Sequence, residues 1–177
     1  LKVNAVDQDK TMVFNYDSAR QRQRIELTDW PIKKWLPPLL TSIKDNLSAQ
    51  ANGVVAVDLD DGAVKSLEGI QFSGLDYEHS DDLIALGLSG RIDFDWLSRQ
   101  QTVSARVRIN QGEALLKQVY VNFSEFPLVL DLKVDSRDSD YVIQWQLDNE
   151  TAFEATGEMI LSEDFNMGDW QGRLEIT

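Results

Sequence analysis

At 177 residues the chain is long enough to bury a real core, and an apolar fraction of 42% separates it from disordered sequences. Thirty acidic against seventeen basic side chains give a net charge of −13, which excludes binding by phosphate neutralisation, so nucleic acid is not a partner, and which repels anionic headgroups. No cysteine is present, so disulfides and thiolate metal sites are excluded.

The chain opens in a strand-like pattern at Val3 and Ala5. Met12, Phe14 and Tyr16 then alternate with polar residues, followed by Ile25 and Leu27. Asp29-Trp30-Pro31 carries a helix-start signal, because a proline near the first turn gives up an N–H that has no partner there anyway. Leu36, Leu40, Ile43 and Leu47 fall on one helical stripe, and Asn52-Gly53 is a good stop. The spacing predicts one helix near residues 31–51, interrupted at Pro37-Pro38.

Strands are expected over 53–60, 64–77, 84–96, 102–110, 114–124, 127–136, 140–148, 151–161 and 169–177. The breaks carry turn residues: Asp60-Asp61-Gly62, His79-Ser80-Asp81-Asp82, Asn110-Gln111-Gly112, Asp135-Ser136-Arg137-Asp138 and Asp148-Asn149-Glu150. Short gaps favour antiparallel hairpins over βαβ units. Several segments open with glycine, at Gly53, Gly69, Gly90, Gly157 and Gly172, as at a bend or bulge. Val103, Ala105, Val107 and Ile109 point to one side and Ser104, Arg106, Arg108 and Asn110 to the other. Leu128, Leu130, Leu132 and Val134 repeat the pattern, as do Tyr141, Ile143, Trp145 and Leu147. The sheet therefore has one wet and one apolar face, and a single helix is too little to cover the second. The expected fold is mainly β and antiparallel, a strongly curved or sandwich-like sheet, as one domain over 1–177. Because the chain starts and stops inside strand patterns, it reads as a fragment of a longer protein.

Sites for chemistry are sparse. His79 stands alone, so neither a histidine zinc site nor a triad with a marked nucleophile is assembled. Asp58, Asp60 and Asp61, and likewise Asp135, Asp138 and Asp140, lack the ligand spacing of a calcium loop and read as turn acids. Asp93 and Asp95 share the wet face of their strand, not a cleft for paired-carboxylate catalysis. Trp96 and Trp145 lie on the apolar side. Asn-x-Ser/Thr triplets at Asn46, Asn122 and Asn149 read as chance. The expectation is a non-enzymatic chain with no cofactor and no metal.

Residues 27–40, with the pattern Leu-Thr-Asp-Trp-Pro-Ile-Lys-Lys-Trp-Leu-Pro-Pro-Leu-Leu, the glycine-led segments from Gly53 and Gly69, and Leu88 to Trp96 together resemble the AsmA-like superfamily that includes TamB. The resemblance runs over about residues 20–177. It implies a periplasmic segment of a Gram-negative envelope protein, anchored to the inner membrane by a segment outside this chain. The implied fold is a β-groove that shields phospholipid or other acyl chains between membranes. Val103, Val107, Ile109, Leu128, Leu130, Leu132, Ile143, Trp145 and Leu147 are the candidate groove lining. Packing a closed core is the alternative role for each. Two other functions stay open. One is an assembly module that pairs with envelope proteins through its sheet edges; the other is a carbohydrate-binding β-sandwich.

Overall fold

The structure is a computed structural model. It describes residues 2–7, 10–19, 21–34, 46–79, 83–137, 140–149, 153–162 and 167–176, with side chains described for these except 2–10, 79, 137, 161–170, 174 and 176. Among the described residues there are twelve strands: β1 (Lys2–Asp7), β2 (Lys10–Asp17), β3 (Arg22–Pro31), β4 (Leu47–Asp58), β5 (Val64–His79), β6 (Leu83–Leu97), β7 (Thr102–Leu116), β8 (Val119–Asn122), β9 (Leu128–Arg137), β10 (Asp140–Asn149), β11 (Phe153–Ser162) and β12 (Met167–Ile176). They form one open antiparallel sheet in the order β1-β2-β3-β4-β5-β6-β7-β9-β10-β11-β12, with β8 pairing β7 off this path. Neighbours in space are thus almost always neighbours in sequence, as the short turn-rich gaps predicted. The sandwich alternative is not what forms: the described strands all belong to one sheet.

The helix predicted at 31–51 is corrected where it can be seen. Pro31 ends β3, Ile32–Lys34 make a single 3-10 turn, and Leu47–Ala51 open β4. Residues 35–45, with Leu36, Leu40 and Ile43 of the proposed stripe and Trp35, lie outside the described residues. Leu47 belongs equally to a period-two pattern, in which Ala49 and Ala51 are buried while Ser48 and Gln50 are exposed, and pairing with β5 selects it. Asn52-Gly53 is a bulge, not a helix stop; the Asn52 side chain donates to Asp29 Oδ1 at 3.0 Å and accepts from the Asp29 N–H at 2.9 Å.

A second correction concerns Asn110-Gln111-Gly112. The chain does not turn there: β7 continues to Leu116, and Lys117-Gln118 makes the reversal into β8, with Lys117 at φ 55. The predicted strands 102–110 and 114–124 are therefore one long strand and one short one. Gly112 instead absorbs an irregularity at φ 96, where an added Cβ would press on the backbone of Gly87, itself at φ 62.

Register shifts concentrate between β3 and β7. They occur at Leu27/Trp30, at Ser48/Gln50 and Gly53/Val54, at Lys65/Ile70, Phe72/Leu75 and Leu75/Tyr77, and around Leu86, Ser89 and Gly90. Each such shift bends its strand and sharpens its twist. The ladders β7–β9, β9–β10 and β10–β11 have none. Burial follows this division. Met12, Leu27, Trp30, Ala51, Val55 and Ile70 form one buried cluster, joined by Phe14, Ile25, Ile32, Val64 and Phe94. Phe72, Ala85, Leu88 and Phe123 form a second, also touched by Ile32. Among the described residues, both buried clusters lie on the bent part of the sheet and the loop after β8, and neither extends over β10 and β11.

Candidate functional site

Residues directly opposite in an antiparallel ladder point to the same side, so register assigns faces. Val103 lies opposite Val134, which lies opposite Ile143 and, through β10, Met159. Ala105, Leu132, Trp145 and Gly157 make the next row, and Val107, Leu130, Leu147 and Ala155 the third. Ile109 and Leu128 begin a fourth. On β6, Trp96, Phe94, Ile92 and Gly90 extend the same four rows. All nine candidate lining residues therefore share one face, and all nine are half-buried.

Their surroundings differ. Val107, Ile109 and Leu128 pack against the second buried cluster, so core packing describes them well. Val103, Leu130, Leu132, Ile143, Trp145 and Leu147 pack on neither buried cluster among the described residues. Sequence reasoning passed over Ile92, Phe94, Ala105, Val134, Ala155 and Met159 as lining, although the alternation marks them; only the register shows which of them line up. The indole of Trp145 packs against Gly157 on β11: a Cβ added there would clash with the ring. The glycine leaves the space that an aromatic on the next strand fills. At Gly90 the close neighbour is backbone, the Arg108 carbonyl oxygen.

From β7 to β11 the open rows span three inter-strand steps of about 4.8 Å, roughly 14 Å, and the three rows begun by Val103, Ala105 and Val107 cover about 13 Å along the strand. The resulting platform covers about 200 Å², an apolar patch of ordinary size whose side chains are aligned by the register. Each half-exposed aliphatic forgoes about 1 kcal/mol of the burial free energy that full coverage would supply. Trp96 is 43% exposed at one margin of the platform.

The opposite face is a lattice of charges. Arg91 binds Asp93 at 2.7 Å, and Arg108 approaches the same carboxylate at 3.6 Å. Arg106 grips Asp131 through two nitrogens at 2.5 and 2.8 Å. Asp135 accepts from Thr102 Oγ1 at 2.9 Å and from Lys133 at 2.8 Å, and Gln144 and Gln146 donate to Glu158 and Glu154. The hydrogen bonds from Arg91, then the nearby cations, hold the Asp93 carboxyl below the usual carboxylate range. This is a solvated face, and Asp93 is an ion-pair member on it, as the alternation indicated. Shallow hollows lie here; one of about 580 Å³ is lined by Asp131, Lys133, Gln144, Gln146, Glu158 and Arg173, with Leu132, Trp145, Gly157 and Gly172 between them in sequence.

The other sequence candidates resolve locally. Asp58 accepts from the Asp60 N–H and from Arg22, and Asp61 accepts from the Ala63 N–H, so these acids organise their own turn. The backbone donor at Asp60, then Arg22, lowers the Asp58 pKa. Among the described residues no group of three or more acidic or histidine side chains is placed to hold a metal. The His79 side chain and Asp138 lie outside the description. Asn149 is buried and donates to the Pro127 carbonyl at 2.6 Å, and Asn122 accepts from the Ser124 N–H, so both are used structurally. No described helix is long and apolar enough to cross a membrane, which leaves strands aside. No protein-family model, curated protein or solved structure matches the chain significantly.

Proposed function

We propose that the chain is a non-enzymatic, lipid-binding or lipid-conducting segment of an AsmA-like envelope protein, working in the periplasm, whose apolar sheet face shields acyl chains. The observation that carries this is the open platform itself: six aligned apolar side chains on three regular strands, half-exposed and outside both buried clusters. Its width of about 14 Å is comparable with one leaflet of hydrocarbon, about half of a core some 30 Å thick. An acyl chain asks for apolar contact and no directed hydrogen bond, and the platform offers that.

The test is organic extraction and mass spectrometry of protein purified without detergent, together with titration of a fluorescent fatty acid. An acyl lipid should be recovered, and Leu130→Glu with Ile143→Glu should abolish probe binding while Lys133→Ala on the opposite face leaves it intact. Absence of any bound lipid, or binding indifferent to the two glutamates, would sink the reading.

A second reading, assembly through the sheet edges, is supported by the open path from β1 to β12: the described residues of these strands pair on one side each. Unpaired edges are templates for further strands. It predicts self-association or capture of an envelope partner that proline substitutions in β12 remove.

A further inference from the structure

Among the described residues, four exposed large apolar side chains, Tyr16, Leu59, Trp96 and Leu97, lie where β2, β4 and β6 finish, and five more strongly exposed ones gather elsewhere. Leu86 (56%), Leu116 (55%), Val119 (60%), Tyr120 (58%) and Phe126 (50%) all sit at one end of β6, β7 and β8. The register places them. Leu116 lies opposite both Leu83 and Val119 on one face of the hairpin, while Leu115 lies opposite Ile84 and Tyr120 on the other, with Leu86 in the adjoining row beside Glu113. Phe126 follows directly in a turn whose N–H donates to the Asn122 carbonyl. β8 pairs only with β7 among the described residues.

The hairpin is thus apolar on both faces, which an ordinary half-wet strand pair is not. A protein partner laid flat on the sheet would cover one face and leave the other in water. A hydrocarbon phase covers both. Charge points the same way: between Glu113 and Glu125 there is no acid and one cation, Lys117 at the turn, in a chain of net charge −13. Tyr120 has the amphipathic character that favours the interface, its phenol held by Glu113, which raises its pKa. The apolar surface is also continuous. Ala114 and Val121 on the hairpin pack on the second buried cluster together with Val107, Ile109 and Leu128, the near margin of the open platform.

We infer that the β7–β8 hairpin is a docking tip that inserts into the surface of an uncharged or zwitterionic bilayer and brings the apolar platform to its lipid source. The inference rests on the acyl-chain reading and deepens it by naming that source. A net charge of −13 sets the preference: anionic vesicles are repelled, and the repulsion is screened by salt.

The experiment is flotation of the full chain with phosphatidylcholine vesicles, run beside the fatty-acid titration. The chain should float with zwitterionic vesicles, and weaker flotation with phosphatidylserine vesicles should recover as salt is raised. Leu116→Glu with Val119→Glu, both at exposed positions outside the core, should weaken vesicle partition by roughly 100-fold while leaving fatty-acid binding unchanged. Circular dichroism shows that the variant is folded; a milder pair, Leu116→Ser with Val119→Ser, should fall between. Failure of the native chain to float, or flotation unaltered by both pairs, overturns the tip. So does a variant that loses self-association in the absence of vesicles and nothing else, since the hairpin would then be a protein contact. If neither protein binds the fatty acid, the platform reading falls instead, whatever the flotation shows.

Discussion

A pair of leucine truncations separates a closed face from an open one. Leu27 is 4% exposed in the first buried cluster, and Leu130 is half-exposed at the centre of the platform. Leu27→Ala removes three buried carbons and leaves a cavity, so about 3 kcal/mol should be lost, within the ~2–5 kcal/mol range for such sites. Leu130→Ala removes atoms already half in water and leaves no enclosed void, so about 1 kcal/mol is expected. At the usual ~2–4 °C per kcal/mol for a chain of this length, the shifts in midpoint are roughly 6–12 °C and 2–4 °C. Urea titration followed by tryptophan fluorescence measures both, with equal slopes required for the comparison. With acyl lipid present, the gap should narrow, because Leu130 then loses a ligand contact as well. A Leu130→Ala variant that costs as much as Leu27→Ala in lipid-free protein refutes the reasoning, since the platform would then be a sealed core.

Glycine substitutions test close approaches. Gly90→Ala should destabilise more than Gly157→Ala, because the first meets the Arg108 carbonyl in a ladder and the second only the movable Trp145 ring; about 3 against about 1–2 kcal/mol by denaturant titration, with a change in tryptophan emission for Gly157→Ala alone. Acid should weaken the fold below about pH 4. The folded-state pKa values of Asp93 and Asp58 are depressed, so their contribution is full above the unfolded value and disappears as pH falls through the folded one. The stability difference between the native chain and Asp93→Asn should accordingly shrink from pH 7 towards pH 2; a difference constant with pH would contradict the ion pairing. Asn52→Ala should cost about 1 kcal/mol by releasing both hydrogen bonds that tie the β3 bulge to β4, and Asn52→Asp should restore the bond accepted from the Asp29 N–H while adding a repulsion with its carboxylate. Equal stability of the two variants with the native chain would show that the bulge needs no side-chain bridge.

Much of the strand layout was legible before the structure. Val64–His79, Leu83–Leu97, Leu128–Arg137 and Asp140–Asn149 lie within two residues of their predicted spans, because turn-forming Asp, Asn and Gly interrupt clean alternation there. Misreadings have physical causes. Leu47 fits helical and alternating patterns equally, and pairing with Tyr77 decides for the strand. Gly112 carries turn chemistry but is used to bend β7, while the true reversal at Lys117-Gln118 lacks glycine, asparagine and proline and gave no signal. The hairpin tip was hidden by the same misreading.

Sequence alone determined which side each residue of a strand takes, since a period of two is a property of the extended backbone. The apolar face and its charged opposite were readable from Val103 to Leu147 on that basis. Tertiary structure decided which part of the apolar face is covered. Coverage depends on curvature, and curvature comes from register shifts matched across strands far apart in the chain, from Leu27 on β3 to Gly90 on β6. Alternation is local and is silent about such matching, so the closed core over β2–β6 and the open platform over β7–β10 look alike as sequence and differ only once the strands pair.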